Sequence, residues 1–295
     1  MAVLPGHFSL FKKRIEPDSD KAAVAQSLPT KVREHIKKHS EFVTEYPHTR
    51  LAGSYARHTA TKQIKDVDIL VFADQSWRDE PIPDMMQALY DALKELPDTL
   101  EDGDTPELRR QRRSVGVYLP KSDLSLDIVP VLKIVDDLNE VLEVPDKEWD
   151  EWVFTHPLGY GCLLSELNSD NGGKVVPTVK MLKHWRDMKF QRMRPKSYWL
   201  ESMVVRHIRR EWVTTANKGD ATLLADLFDS IYDRFKPVLD REEETPFIPD
   251  AKLRNPVAWN WRRTAFETFM RRLDETRKLA RAAVDTSDDE TAVIY

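Results

Sequence analysis

The chain has 295 residues, with 45 Lys and Arg against 50 Asp and Glu for a net charge of −5; 41% of its residues are hydrophobic and 32% charged. That places it among ordinary globular chains of one large domain or two lobes, excludes a membrane-spanning protein because no run nears the roughly 18 apolar residues of a span, and disfavours an all-over polyanion-binding coat. The single cysteine, Cys162, excludes an intramolecular disulfide and multi-cysteine zinc sites, and Lys12, Lys13, Arg14 and Glu16 interrupt the region where a secretory signal would need its apolar run, so a cytoplasmic protein is expected.

From Leu28 to Tyr46 the apolar positions Val32, Ile36 and Val43 lie among charged residues, which predicts an amphipathic helix begun by Pro29-Thr30. His48 to Ala52 reads as a short strand that ends at Gly53-Ser54, and Asp66 to Phe72 as a second, rich in β-branched residues. A helix is expected over Pro83 to Leu96, then strands at Arg113 to Leu119 and Leu124 to Leu132, the last interrupted by Asp127 and Pro130. From Trp149 onward the pattern turns helical, with stripes at Val179/Leu182/Trp185, Leu200/Val204/Ile208 and Leu223/Leu227/Ile231, and a long last helix over Asn260 to Ala283. The reading is an α+β chain: residues 1–148 form a small mixed sheet with flanking helices, 149–284 a helical lobe, and 285–295 an acidic, disordered tail.

Asp66 and Asp68 are two apart on a predicted strand, so both carboxylates face one side of the sheet. Two like charges in one place raise each other's pKa and are relieved by a divalent cation such as Mg²⁺. The same Asp-x-Asp spacing at Asp18/Asp20 and Asp102/Asp104 lies in turn-like sequence and reads as solvated loop. Asp127 stands amid Leu126, Ile128 and Val129, where an ionised carboxylate needs a partner. Three carboxylates on neighbouring strands would hold two metal ions, which together stabilise an in-line displacement at phosphorus, and Gly53 and Ser54 would supply a phosphate cradle.

Gly53-Ser54-Tyr55-Ala56-Arg57, Asp66-Val67-Asp68-Ile69 and Leu126-Asp127-Ile128-Val129-Pro130, in this order, resemble the polymerase-β-type nucleotidyltransferase superfamily, and within it the bacterial cGAS/DncV-like nucleotidyltransferases (CD-NTase or SMODS proteins). Lys180 to Trp185 followed by Lys196-Ser197-Tyr198 resembles that family's donor-nucleotide segment. The resemblance implies a polymerase-β-like core plus a C-terminal helical lobe with the active site in the cleft between them. It also implies Asp66, Asp68 and Asp127 as catalytic residues and ligands of two Mg²⁺ or Mn²⁺ ions, and places Gly53, Ser54, Lys183 and Ser197 on phosphates and Tyr198 against a base. The implied reaction joins nucleoside triphosphates into a cyclic di- or trinucleotide second messenger with pyrophosphate release, in bacterial anti-phage (CBASS) signalling beside effector and regulatory proteins.

Residue chemistry agrees in part, because Lys180 to Glu211 contains ten Lys/Arg against three Asp/Glu and would attract polyphosphate. Ser197 reads equally as a helix N-cap, and Tyr198 taken alone as core. Arg109, Arg110, Arg112 and Arg113 are expected on a solvated edge, His35 and His39 on the surface, and Trp259, Trp261, Phe266 and Phe269 in packing. The competing functions are an RNA 3′-end nucleotidyltransferase, disfavoured by the absence of a further RNA-binding domain and by the acidity; a small-molecule adenylylating enzyme; and a catalytically silent nucleotide- or RNA-binding module.

Overall fold

The computed structural model describes residues 4–62, 64, 66–97, 103–134, 140–190, 195–210, 217–241, 246–253, 257, 261–286 and 288–294. Asp102 and Trp259, singled out in the sequence, lie outside them. The chain divides into two compact units, one of residues 17–162 and one of residues 1–16 and 163–295.

The first unit holds a seven-stranded mixed sheet. Its strands are β1 (Thr44–Ala52), β2 (Asp66–Ala73), β3 (Glu107–Arg110), β4 (Val115–Leu119), β5 (Leu124–Lys133), β6 (Leu142–Asp146) and β7 (Glu151–Thr155). They run in the order β1-β2-β5-β4-β3, with β6 joining the end of β5 and β7 joining β6; among the described strands β2 and β5 pair parallel and the others antiparallel. The alternation in β2 and β5 sends Val67, Ile69, Val71, Leu126 and Ile128 into one core with Leu28, Val32 and Ile36 of α2 (Ser19–Lys38) and Met85 and Leu89 of α4 (Ile82–Lys94). On the opposite face Leu70, Phe72 and Val131 pack with Leu142 and Val144. Asp66, Asp68 and Asp127 belong to this second face by the same period of two, at the end of the strands where the chain enters α3 (Gly53–Ala56).

The second unit is helical: α1 (Pro5–Ile15), most of α5 (Pro157–Asp170), α6 (Val175–Lys189), α7 (Ser197–Arg210), α8 (Asp220–Asp240), α9 (Arg263–Asp285) and α10 (Asp289–Ile294). An aromatic cluster fills it, with Trp199 edge-on to Trp261 and Phe269, ring centroids 5.0 Å apart in both cases. Trp261, Phe266 and Phe269 therefore pack, as expected. α1 is tied here by an ion pair from Lys12 to Asp220 at 2.8 Å and by Phe11 against His184.

Several expectations are corrected. The helix read over 28–46 starts at Ser19 and stops at Lys38, and the strand begins at Thr44, because Phe42 is already sheet-side core with 0% exposure. Residues after Trp149 do not turn helical at once: Glu151–Thr155 pairs with β6 and extends the sheet unit past the boundary drawn at 148. The tail read as disordered forms α10, capped by Asp288 accepting from the Thr291 amide at 2.7 Å, with Ala292 buried. Asp104 is no solvated loop residue; it is fully buried and accepts hydrogen bonds from the Lys121 and Ser122 amides at 2.7 and 2.9 Å. His35 and His39 are partly buried struts between α2 and the end of α4, bonded to the Ala92 carbonyl and facing Glu95 at 3.2 Å.

Candidate active site

β1 runs into the site antiparallel to β2, with Ala52 opposite Asp68. At the next residue the chain must turn sharply, and Gly53 does so with a φ of +67°, a conformation that L side chains rarely adopt. A Cβ on Gly53 would lie 1.5 Å from Oδ2 of Asp68, so no side chain fits. The glycine is thus required twice, by torsion and by the carboxylate beside it. The turn is closed by the Thr59 amide donating to the Ser54 carbonyl at 2.9 Å and by the Arg57 amide donating to the Gly53 carbonyl at 3.2 Å. The Ser54 side chain is half-buried and its hydroxyl has no hydrogen bond among the described residues.

Parallel pairing places Asp68 level with Asp127 and Asp66 level with Ser125. The three carboxylates predicted from the sequence are therefore brought to one end of one sheet face. Burial pushes the Asp68 carboxyl up to about 6, and the negative charges of Asp66 and Asp127 push the same way, against the nearby Arg57. Burial also raises Asp127, with the Asp66 charge adding to it and a hydrogen bond from Gln111 opposing it. Gln111 is a residue the sequence did not mark. Its Nε2 donates to Asp127 Oδ1 at 2.9 Å while its Oε1 accepts from the Ser114 hydroxyl at 2.5 Å. Gly116, opposite Asp127 on β4, leaves the room: a Cβ there would meet Gln111 Nε2 at 2.8 Å. The only sequence signal was its place in the turn before β4.

The turn that carries Gln111 is held by Asp146, whose fully buried carboxylate accepts from Arg112 Nε at 2.6 Å and from Arg113 at 2.8 and 2.6 Å. Burial alone would raise its pKa, but the two guanidinium groups outweigh it and hold the acid at about 2. Arg112 and Arg113 are thus structural, whereas Arg109 and Arg110 lie exposed on the edge strand β3, as expected of a solvated edge, with Arg109 over the Tyr118 ring and Arg110 over the Tyr90 ring.

Among the described residues no three His, Cys, Asp or Glu side chains are already arranged to hold a metal ion. The donor set nevertheless fits a hard divalent cation: three carboxylates, two of them with raised pKa, and, among the described residues, no protein cation bonded to them to neutralise the group. Mg²⁺ is ordinarily held by one or two carboxylates completed by substrate phosphates and water, so a closed protein cage is not required.

The predicted donor residues lie in the helical unit. Lys183 is 4% exposed and forms an ion pair with the fully buried Glu201 at 2.5 Å, one turn into α7. Lys180 pairs with Glu16 at 2.6 Å. Ser197 opens α7 and its Oγ accepts from Arg186 at 2.8 Å, and the Tyr198 hydroxyl donates to Asp250. Glu201 and Arg186 were missed because each gains its role only when α6 and α7 pack; the α7 stripe gave Glu201 no more weight than any other carboxylate.

Residues 1–168 match the Second Messenger Oligonucleotide or Dinucleotide Synthetase (SMODS) domain. The chain belongs to the SMODS family. It is accordingly a nucleotidyltransferase that makes an oligonucleotide second messenger, and SMODS enzymes of the cGAS/DncV-like class use divalent metal ions. It is 30% identical over 290 residues to a cyclic AMP-AMP-AMP synthase of Acinetobacter sp. (strain ATCC 27244 / 9458), covering 95% of this chain and 79% of that one. Among solved SMODS-like structures, CdnC of E. coli MS115-1 in complex with HORMA-deltaN superposes with a TM-score of 0.72 at 15% identity, over 99% of this chain and 96% of that one. CdnG of Bradyrhizobium diazoefficiens in complex with GTP superposes with a TM-score of 0.74 at 14% identity, over 97% and 93%. These two likenesses establish the polymerase-β-like fold. No described helix is long and apolar enough to cross a membrane.

Proposed function

We propose that this SMODS enzyme joins ATP into a cyclic adenylate trinucleotide, with Asp66, Asp68 and Asp127 holding two Mg²⁺ or Mn²⁺ ions. The observation that carries the site is the level pairing of Asp68 with Asp127 beside a glycine whose missing side chain leaves room for the carboxylate. The choice of adenine rests on the similarity to the Acinetobacter enzyme. Bound metal would neutralise the carboxylates, lower the pKa of the attacking 3′- or 2′-hydroxyl and stabilise charge at the α-phosphate.

This chain's residues then have distinct tasks. Asp66, Asp68 and Asp127 supply the anionic face; Gln111 fixes the Asp127 carboxylate; the Ser54 hydroxyl and the glycine turn meet the phosphates. The attacking hydroxyl forms a bond to the α-phosphorus, the bond to the bridging oxygen breaks, and pyrophosphate leaves. Ser197 and Tyr198 at the start of α7 are proposed to hold donor phosphate and base. Lys183, being buried against Glu201, acts as the anchor of that segment and reaches phosphate only by exchanging its partner. A regulatory protein partner is proposed by likeness to CdnC, which was solved with HORMA-deltaN.

The test is incubation of the full chain with all four NTPs and Mg²⁺ or Mn²⁺, read by mass spectrometry of phosphatase-resistant products. A cyclic adenylate trinucleotide is expected, absent from Asp66→Asn/Asp68→Asn. A product made equally by that variant would remove the carboxylates from catalysis, and RNA 3′-extension in place of cyclic product would favour the tailing reading.

A further inference from the structure

The helical unit contains a cavity of about 940 Å³ that none of the predicted donor residues lines. On α7 its wall is Ser202, Val205, Arg206 and Arg209, spaced by three and four so that they share one face, beginning one turn past Tyr198. Arg234 of α8 and the segment with Phe247, Pro249 and Asp250 complete it. Three guanidinium groups therefore converge with one carboxylate, and that carboxylate is engaged elsewhere: Asp250 accepts from the Tyr198 hydroxyl and from the Lys252 and Leu253 amides at 2.7 and 2.8 Å.

Arg206 and Arg209 make no hydrogen bond or ion pair among the described residues, and Nε of Arg206 is buried without a partner. A buried guanidinium N–H with no acceptor is costly, and an anion is the partner that would satisfy it. The planar fork of Arg favours phosphate over other anions because it bonds two oxygens at once. Beside the arginines Phe247 leaves 64% of its surface exposed, and with Pro249 it offers a flat apolar wall of the kind on which a base stacks. The volume lies in the range of small-molecule sites.

We propose that this cavity is a second nucleotide site, in which Arg206, Arg209 and Arg234 bind phosphate and Phe247 and Pro249 receive the base. The preference for a nucleotide over other phosphate esters rests on the synthase function, but the site itself does not. Two sources share the chemistry, the substrate triphosphate and the oligonucleotide product. Asp250 lines the cavity and accepts from the Tyr198 hydroxyl, so the occupant sits one hydrogen bond from the residue proposed to hold the donor base.

The experiment is calorimetric titration of the full chain in EDTA, which removes the metal needed by the carboxylate site, with ATP, inorganic tripolyphosphate and cyclic tri-adenylate as probes. ATP is expected to bind wild type and Asp66→Asn/Asp68→Asn equally. Arg206→Ala/Arg234→Ala should weaken it by at least about tenfold, and the exposed Arg209→Glu, which carries little folding risk, by at least about fivefold. Phe247→Ala should weaken ATP but not tripolyphosphate. Displacement of ATP by cyclic tri-adenylate identifies the product as occupant, and failure to displace identifies the substrate. No ATP binding in EDTA, binding unaffected by the arginine variants, or binding lost in the Asp66/Asp68 variant would each overturn the proposal. Because binding and not synthesis is read, an inactive enzyme with an intact EDTA site would count against the synthase product and leave this site standing.

Discussion

At Asp68 the sheet holds a carboxylate that the metal-free chain does not want ionised. Its pKa of about 6 lies above the usual 3.8, so between these values the folded chain binds a proton that the unfolded chain has lost. Stability of the metal-free chain therefore contains a penalty above pH 6 that fades as pH falls through 6 and is gone below about 4. Asp68→Asn is expected to abolish synthesis yet raise metal-free stability by about 1–3 kcal/mol at pH 8, because each tenfold change in proton affinity is worth about 1.4 kcal/mol. Urea unfolding in EDTA at several pH values checks this; a variant less stable than wild type at pH 8 would refute it. That Asp66, Asp68 and Asp127 gather at one place was legible because a period of two and an apolar setting are local patterns. Gln111 was not, since an isolated Gln before a strand has no periodic partner and its task exists only once Gly116 and Asp127 are paired across strands.

At the scale of elements, β6 does more than widen the sheet. Its last residue, Asp146, clamps Arg112 and Arg113 and so fixes the turn from which Gln111 reaches Asp127. Asp146→Ala is expected to cost up to about 3–5 kcal/mol, as for one partner removed from a buried charge network. It should also lower kcat more than it raises KM, because the loosened turn misplaces a carboxylate and not the nucleotide. Denaturant unfolding and steady-state kinetics read both; an unchanged kcat in a folded variant would separate the clamp from the site. β2, β5 and α4 were legible from runs of β-branched residues and helical stripes. β3 was not, because Glu-Leu-Arg-Arg at a sheet edge shows no apolar alternation, and β7 is too short to set a period against the helical pattern that follows.

For the whole molecule, the sheet unit is continuous in sequence while the helical unit is assembled from both ends of the chain. Ile15 is 2% exposed in the helical unit, and Glu16 supplies the carboxylate that neutralises Lys180. Removal of residues 1–16 should therefore raise hydrogen exchange in α6 and α8 while β2 and β5 keep their protection; equal loss in both units would contradict the division. Neither composition nor periodicity could assign α1, because 11 residues with a weak apolar face carry no mark of a partner 208 positions away. The order of synthesis gives that division a further consequence. As the chain leaves the ribosome, residues 17–162 can close their sheet at once, with the three aspartates in place, while α1 has to wait for α6 and α8 to emerge. A ribosome-bound nascent chain would thus possess its three-carboxylate face before its helical unit is whole, and among the last contacts to form would be those of α1, made well before its partners.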